Sequence, residues 1–261
     1  MNMMSVKKAA LALALFVSAT AQAGVVKVWG EQLSGFNLNT VNNFYNGLAG
    51  HTSTIGVGTL DTIDLTGVNL LWATQPADPY TPAELIAMQS FLAAGGRIAF
   101  MGEHGTFAPA QNTRINAALG ALGSTISINN VILDSGFRTA SVGDGQILAH
   151  SLTTGVTNYQ YAAFAPLTIA GSAVALMLGE DSYLGNPSVM MAYQNIGAGS
   201  IFLITDQNVW DNAPTWGGAF NNATMFENLL VGNTQVPEPA SIALLGLGVA
   251  GLFAARRRKA K

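Results

Sequence analysis

The sequence predicts an α/β fold of three layers on a mostly parallel sheet. Three observations carry this. Strand-like and helix-like patterns alternate along residues 25–101 with short links, which calls for parallel pairing through right-handed crossovers. The strand-like runs are nearly continuous in apolar residues, as strands buried on both faces are. One helix, starting at Thr81-Pro82, carries a full set of boundary signals.

The elements follow in order. Val25-Val26-Lys27-Val28-Trp29 is β-branched and reads as a strand. Leu38, Val41, Phe44, Tyr45 and Leu48 recur at helical spacing, and Gly50 closes that helix. Thr54–Val57 is a weaker strand and Val68–Ala73 a buried one. Thr81 then serves as N-cap, Pro82 fits the first helical position, and Glu84 completes a capping box. Leu85, Met88, Phe91 and Leu92 form its apolar stripe, and Gly95-Gly96 ends it before the strand Arg97–Met101. Residues 114–122 read as a helix, 174–178 and 201–205 as strands, and 222–230 as a closing helix. Residues 126–170 are less regular, with short strands. The strands at Val25–Trp29, Leu70–Ala73, Ile98–Met101 and Ile201–Thr205 are expected side by side and parallel.

The ends differ from this middle. Lys7-Lys8, an apolar run from Ala9 to Ala19, and Ala21-Gln22-Ala23 form a signal peptide, with cleavage expected after Ala23 by signal peptidase. The C-terminus reads Pro237-Glu238-Pro239, an apolar run from Ser241 to Ala255, then Arg256-Arg257-Arg258-Lys259. That basic cluster stays cytoplasmic by the positive-inside rule, which leaves the domain outside. The chain thus divides into a signal peptide (1–23), an α/β domain (24–234) and a tail (235–261) that holds a single hydrophobic helix.

The tail resembles the PEP-CTERM sorting signal, because the Pro-Glu-Pro motif, short apolar helix and Arg cluster occur in order at the C-terminus. The resemblance implies processing near Pro237-Glu238-Pro239 by an exosortase. It also implies bacteria that make exopolysaccharide and grow as biofilms. The expected route is export, transient anchoring in the inner membrane, and release to the cell surface or extracellular matrix.

Charge and composition exclude several classes. Seven of eleven basic residues lie at the ends. Residues 24–235 hold Lys27, Arg97, Arg114 and Arg138 against thirteen Asp and Glu, a net of −9. Such a domain is unsuited to nucleic acid. The chain has no Cys, which removes disulfides, thiol nucleophiles and zinc–thiolate sites. No Gly-x-Ser-x-Gly elbow or complete phosphate loop occurs, and no cofactor is expected.

Three further stretches carry a second resemblance. They are Tyr80–Leu85 running to Phe91–Ile98, His150-Ser151-Leu152-Thr153-Thr154-Gly155-Val156, and Gly197–Asp206 with Asn221-Asn222 and Glu227–Leu230. In this order they resemble the class I glutamine amidotransferase-like superfamily, which has a flavodoxin-like three-layer fold. Its active members hold a Cys on a strained turn after a central strand. The matching turn here is Met101-Gly102-Glu103-His104-Gly105, without the Cys, so the resemblance argues against amidotransferase activity.

Glu103 and His104 remain candidates for acid–base work or metal ligation, because ligands of open α/β sheets bind beyond the carboxyl ends of strands. The alternative is that Glu103 caps a helix and His104 fills a polar crevice. Asp206, with Asp211 near it, should emerge on the same edge; the alternative is an Asx turn. His150 is a turn residue or a catalytic one. Trp210, Trp216 and Tyr183 lie among Asn, Gly and Asp and suit sugar stacking, or else cover the sheet edge. The leading expectation is a non-enzymatic envelope or matrix protein that binds exopolysaccharide or an envelope protein. The competing one is a hydrolase using Glu103, His104 and Asp206, with or without a divalent metal.

Intact-mass analysis of the protein from its native host tests the processing. The mature chain should begin at Gly24 and end near Pro239. A released form that retains Arg256–Arg258 contradicts the sorting assignment.

Overall fold

The computed structural model describes residues 24–31, 36–210 and 219–230. In chain order the elements are β1 (Val25–Gly30), α1 (Leu38–Gly47), β2 (Thr52–Ile55), β3 (Leu70–Thr74), α2 (Pro82–Ala93), β4 (Arg97–Met101) and α3 (Pro109–Ala121). There follow β5 (Ile126–Ile128), β6 (Arg138–Ser141), β7 (Asn158–Tyr161), β8 (Leu167–Ile169), β9 (Val174–Tyr183), β10 (Asn186–Ile196), β11 (Gly199–Ile204) and α4 (Asn222–Asn228).

The main sheet has nine strands in the order β2-β1-β3-β4-β11-β10-β8-β5, with β9 paired to β10. Strands β2, β1, β3, β4 and β11 are parallel. The four strands expected side by side are therefore adjacent, with Trp72 of β3 level with Val28 of β1 and Ala99 of β4. The rest corrects the expectation of a mostly parallel, flavodoxin-like sheet. Strand β10 runs antiparallel to β11, β9 and β8, and β5 runs antiparallel to β8. The physical reason is loop length. Only Gly197-Ala198 separates β10 from β11, and only Leu184-Gly185 separates β9 from β10. A parallel pair needs a crossover of a dozen or more residues. Leu184 and Gly185 both have positive φ, 50° and 78°, which matches the twist of a two-residue hairpin.

Two apolar clusters cover the two faces of the sheet. On one, Val41 and Tyr45 of α1 and Met225 and Phe226 of α4 pack on Val28, Trp72 and Phe202. On the other, Met88 and Phe91 of α2 and Ile115 and Leu119 of α3 pack on Leu71, Ile98, Phe100 and Leu203. Two of the buried polar tips are paired in series: Trp72 Nε1–H donates to Tyr45 Oη at 3.1 Å, and Tyr45 Oη–H donates to the Phe226 carbonyl at 3.1 Å. That chain fixes α1 and α4 against the same strand.

The capping box of α2 forms as expected: Thr81 Oγ1 accepts from Glu84 N, and Glu84 Oε2 accepts from Thr81 N at 2.8 Å. Helix α3 begins five residues before the expected start, because Pro109 at its first turn sets φ while its N-cap, Ala108, offers no side-chain bond. Strand β2 lies two residues before its expected place, ending where Gly56 lets the Trp29 and Ile63 side chains close in. Among the described residues no helix is long and apolar enough to cross a membrane. The expected signal peptide and C-terminal helix lie outside those residues, as do Ala23, Pro237, Glu238, Pro239 and Arg256–Arg258.

Candidate functional site

The ends of β3, β4 and β11 meet at the carboxyl edge of the parallel half. A buried polar network occupies this place. Glu103, 1% exposed, directly follows the turn after β4. Its Oε1 accepts from its neighbour's peptide, His104 N, at 2.7 Å. Its Oε2 accepts from Gln207 N at 2.9 Å, across the gap to the end of β11. Asn112, fully buried on α3, reads the main chain of the same residue: its Oδ1 accepts from Glu103 N and its Nδ2 donates to the Glu103 carbonyl.

Asp206 is also fully buried. Its Oδ2 accepts from Ala162 N at 2.6 Å, and its Oδ1 accepts from Asn208 N at 2.8 Å. The second bond is an Asx turn, and the first pins the end of β7 to the end of β11. Burial, and then the Asp206 charge, hold the Tyr159 hydroxyl well above the ordinary phenol range.

Glu103 and Asp206 thus share one sheet edge, yet their carboxylates are aimed at different main-chain donors. His104 is partly exposed; its Nε2 stands 3.9 Å from Glu103 Oε1 and its Nδ1 is 2.9 Å from Thr106 Oγ1. Burial lowers its pKa, which favours the neutral ring. Among the described residues no group of three or more acids and histidines is placed to hold a metal.

The other candidates are scattered. His150 caps the short turn 151–153, with Nδ1 accepting from Leu152 N at 3.2 Å. Trp210 is 2% exposed and stacks on Phe226 with centroids 4.0 Å apart, inside the core. Tyr183 ends β9, remote in sequence pairing from the parallel edge. Trp216 and Asp211 lie outside the described residues.

Two features escaped the sequence reading. The first is Gln75, which follows β3 with φ 38° and is fully buried. Its peptide N–H donates to the Met101 carbonyl and its Nε2 donates to Gln207 Oε1 at 3.0 Å. Its Oε1 has no partner among the described residues. A buried non-glycine residue in the left-handed region stores strain, and such residues cluster at functional sites. No left-handed residue occurs between Met101 and Gly105, so the strained turn is one strand away from its expected place.

The second is a groove of about 520 Å³ beyond the carboxyl ends of β1, β2 and β3. Trp29, Glu31, Val57, Gly58, Asp78 and Thr81 line it, and the buried Glu84 borders it. The chain leaves β1 for β2 on one side and then places β3 on the other, so this is a topological switch point, where open α/β sheets bind ligands. Trp29 is held by Nε1–H donating to the Gly58 carbonyl at 2.9 Å and by Tyr80, with ring centroids 5.8 Å apart. Gly30 has φ 128°, and a Cβ there would collide with the Thr74 carbonyl. Only glycine permits this bend, which sends Glu31 to the groove. The sequence signal was present in Trp29-Gly30-Glu31 directly after a strand.

Residues 235–259 match the PEP-CTERM protein-sorting motif. The chain is therefore an exported protein carrying an exosortase sorting signal. No curated protein is similar to it in sequence. Among solved structures, the mmIFT52 N-terminal domain is similar at TM-score 0.57 and 17% identity, over 78% of this chain and 94% of that one. The cytoplasmic protein STM3548 from Salmonella typhimurium is similar at TM-score 0.51 and 10% identity, over 79% and 97%. A β-galactosidase from Rahnella sp. R3 is similar at TM-score 0.50 and 17% identity, over 80% of this chain but 31% of the enzyme. The chain thus spans about a third of that β-galactosidase, and at these identities the likeness describes the fold alone. With the mixed sheet, these neighbours give the amidotransferase-like assignment no support.

Glu103→Gln separates support from catalysis. It puts an amide donor where one of two backbone N–H groups needs an acceptor, and the cost should be about 1–3 kcal/mol of stability in chemical denaturation. Unchanged stability contradicts the network described here.

Proposed function

We propose that this exported protein binds an extracellular polysaccharide at the carboxyl edge of its parallel strands, without cleaving it. The groove at the switch point carries this reading. It joins an aromatic side chain, Trp29, to hydroxyl, carboxylate and main-chain groups, the combination that packs on a sugar ring and bonds its hydroxyls.

The placement of the ends supports it. Gly24 N donates to His51 Nδ1 at 2.9 Å, and a Cβ on Gly24 would lie 3.3 Å from Leu230 Cδ1. Nearby, the buried Arg97 donates to the Leu229 carbonyl and, at 3.0 Å, to Ser200 Oγ. This cation meets the C-terminal end of α4 at the amino edge of the sheet. The first and last described residues, Gly24 and Leu230, therefore lie at the amino edge, opposite the groove. Attachment through the tail leaves the carboxyl edge open.

The competing reading, hydrolysis by Glu103, His104 and Asp206, has the neutral, partly exposed His104 ring in its favour. Both carboxylates, however, hold main-chain donors and so serve the fold first.

Co-sedimentation of the full chain in detergent with polysaccharide from the native host tests the proposal. Saturable binding with no new reducing ends is expected. No binding refutes it, and reducing ends whose release His104→Ala abolishes establish the hydrolase instead.

A further inference from the structure

We infer that the switch-point groove selects a cationic polysaccharide, one whose hexosamine units carry free amino groups. This rests on the polysaccharide reading above and names the charge of its ligand.

The observations are of charge and shape. Glu31 and Asp78 line the groove, and Glu84 borders it. Among the described residues the lining holds no Lys or Arg. Glu84 accepts from Leu60 N, Thr81 N and Thr81 Oγ1, uncharged donors that leave its negative charge uncompensated. The nearby bases keep their charge but are not among the lining residues: Lys27 Nζ donates to Thr54 Oγ1 at 2.7 Å, and Arg114 donates to the Pro76 carbonyl at 2.8 Å. Trp29, Val57 and Pro79 supply the apolar part of the lining beside these carboxylates.

Such a groove repels uronate or sulfate groups and attracts ammonium groups. An aromatic ring beside carboxylates suits an organic cation, because the ring quadrupole adds to the ionic attraction. An amino sugar offers both partners at once, an ammonium for Glu31 or Asp78 and a flat C–H face for Trp29. A lysine side chain offers only the first. The ring contact thus favours the sugar over a basic peptide.

Titration calorimetry of the full chain in detergent with glucosamine oligomers, N-acetylglucosamine oligomers of equal length, and oligolysine tests this. Glucosamine oligomers should bind about tenfold or more tightly than the other two, a difference of roughly 1.4 kcal/mol or more. The affinity should fall with added salt. Asp78→Asn on the exposed loop and Glu31→Gln should each remove most of that preference. Trp29→Ala should weaken glucosamine binding more than oligolysine binding, because the amino sugar loses both the cation–π attraction and the ring contact. Far-UV circular dichroism confirms that each variant is folded; Trp29→Phe replaces Trp29→Ala if it is not, and should retain part of the affinity. Equal or tighter binding of the N-acetylated oligomer overturns the inference and leaves the polysaccharide reading standing. So does host polysaccharide that binds folded Asp78→Asn and Trp29→Phe as it binds the unmodified chain. Oligolysine binding as tight as glucosamine reduces the groove to a charge trap and also overturns the inference. No binding of any glycan, host polysaccharide included, removes both.

Discussion

The carboxyl edge of this sheet depends on one buried carboxylate. Strand ends expose main-chain N–H groups, and an unmet donor away from water costs as much as a lost hydrogen bond. Glu103 meets two such donors, one on its own turn and one at Gln207 beyond β11. Asn112 then takes up the remaining polar groups of Glu103's backbone from the helix α3. Strand β3 joins through Gln75, whose left-handed backbone turns its amide toward Gln207. Three strand ends and one helix are thus tied by three side chains, of which Glu103 alone was a catalytic candidate in the sequence.

Once these ends are level, strand order decides where a ligand fits. The reversal between β1 and β3 opens the edge where Glu103 does not fill it. Gly30 turns the chain there, Gly58 holds the Trp29 indole, and Glu84 closes the start of α2 against the turn at Leu60. The acids are unevenly placed. Glu31, Asp78, Glu84, Glu103 and Asp206 all follow the carboxyl ends of parallel strands, whereas Arg97 lies at the opposite edge beside Leu229. These five carboxylates therefore gather at one edge of the sheet, with Arg114 beside them at Pro76, while the last described residues lie at the other.

Local physics made much of the first half legible. The capping box at Thr81 and Glu84, the apolar runs of β1, β3 and β4, and the glycines after α2 all act over a few residues, and each sits where the sequence placed it. The antiparallel half was not legible. Strand β10 opens with Asn186-Pro187-Ser188, which reads as a break, and its pairing is set by hairpin loops rather than by composition. Asp206 was located on the correct edge, but its Asx turn and its reach to Ala162 are properties of tertiary packing. Trp210 was read as a sugar-stacking residue or a cover of the sheet edge because its neighbours are polar, and Phe44, Trp72 and Phe226 enclose it from distant parts of the chain. Trp29 was read as the end of a strand, since nothing local reveals that Tyr80 and Gly58 arrive to brace it.

In the proposed function, ligand engagement belongs to the carboxyl edge at the β1–β3 reversal and attachment to the amino edge. Hydrogen–deuterium exchange of the full chain, with and without polysaccharide from its host, tests this most directly. New protection is expected at residues 29–31, 56–59 and 77–81, with residues 197–199 and 227–230 unchanged. Protection confined to residues 197–199 and 227–230 would contradict the proposed function.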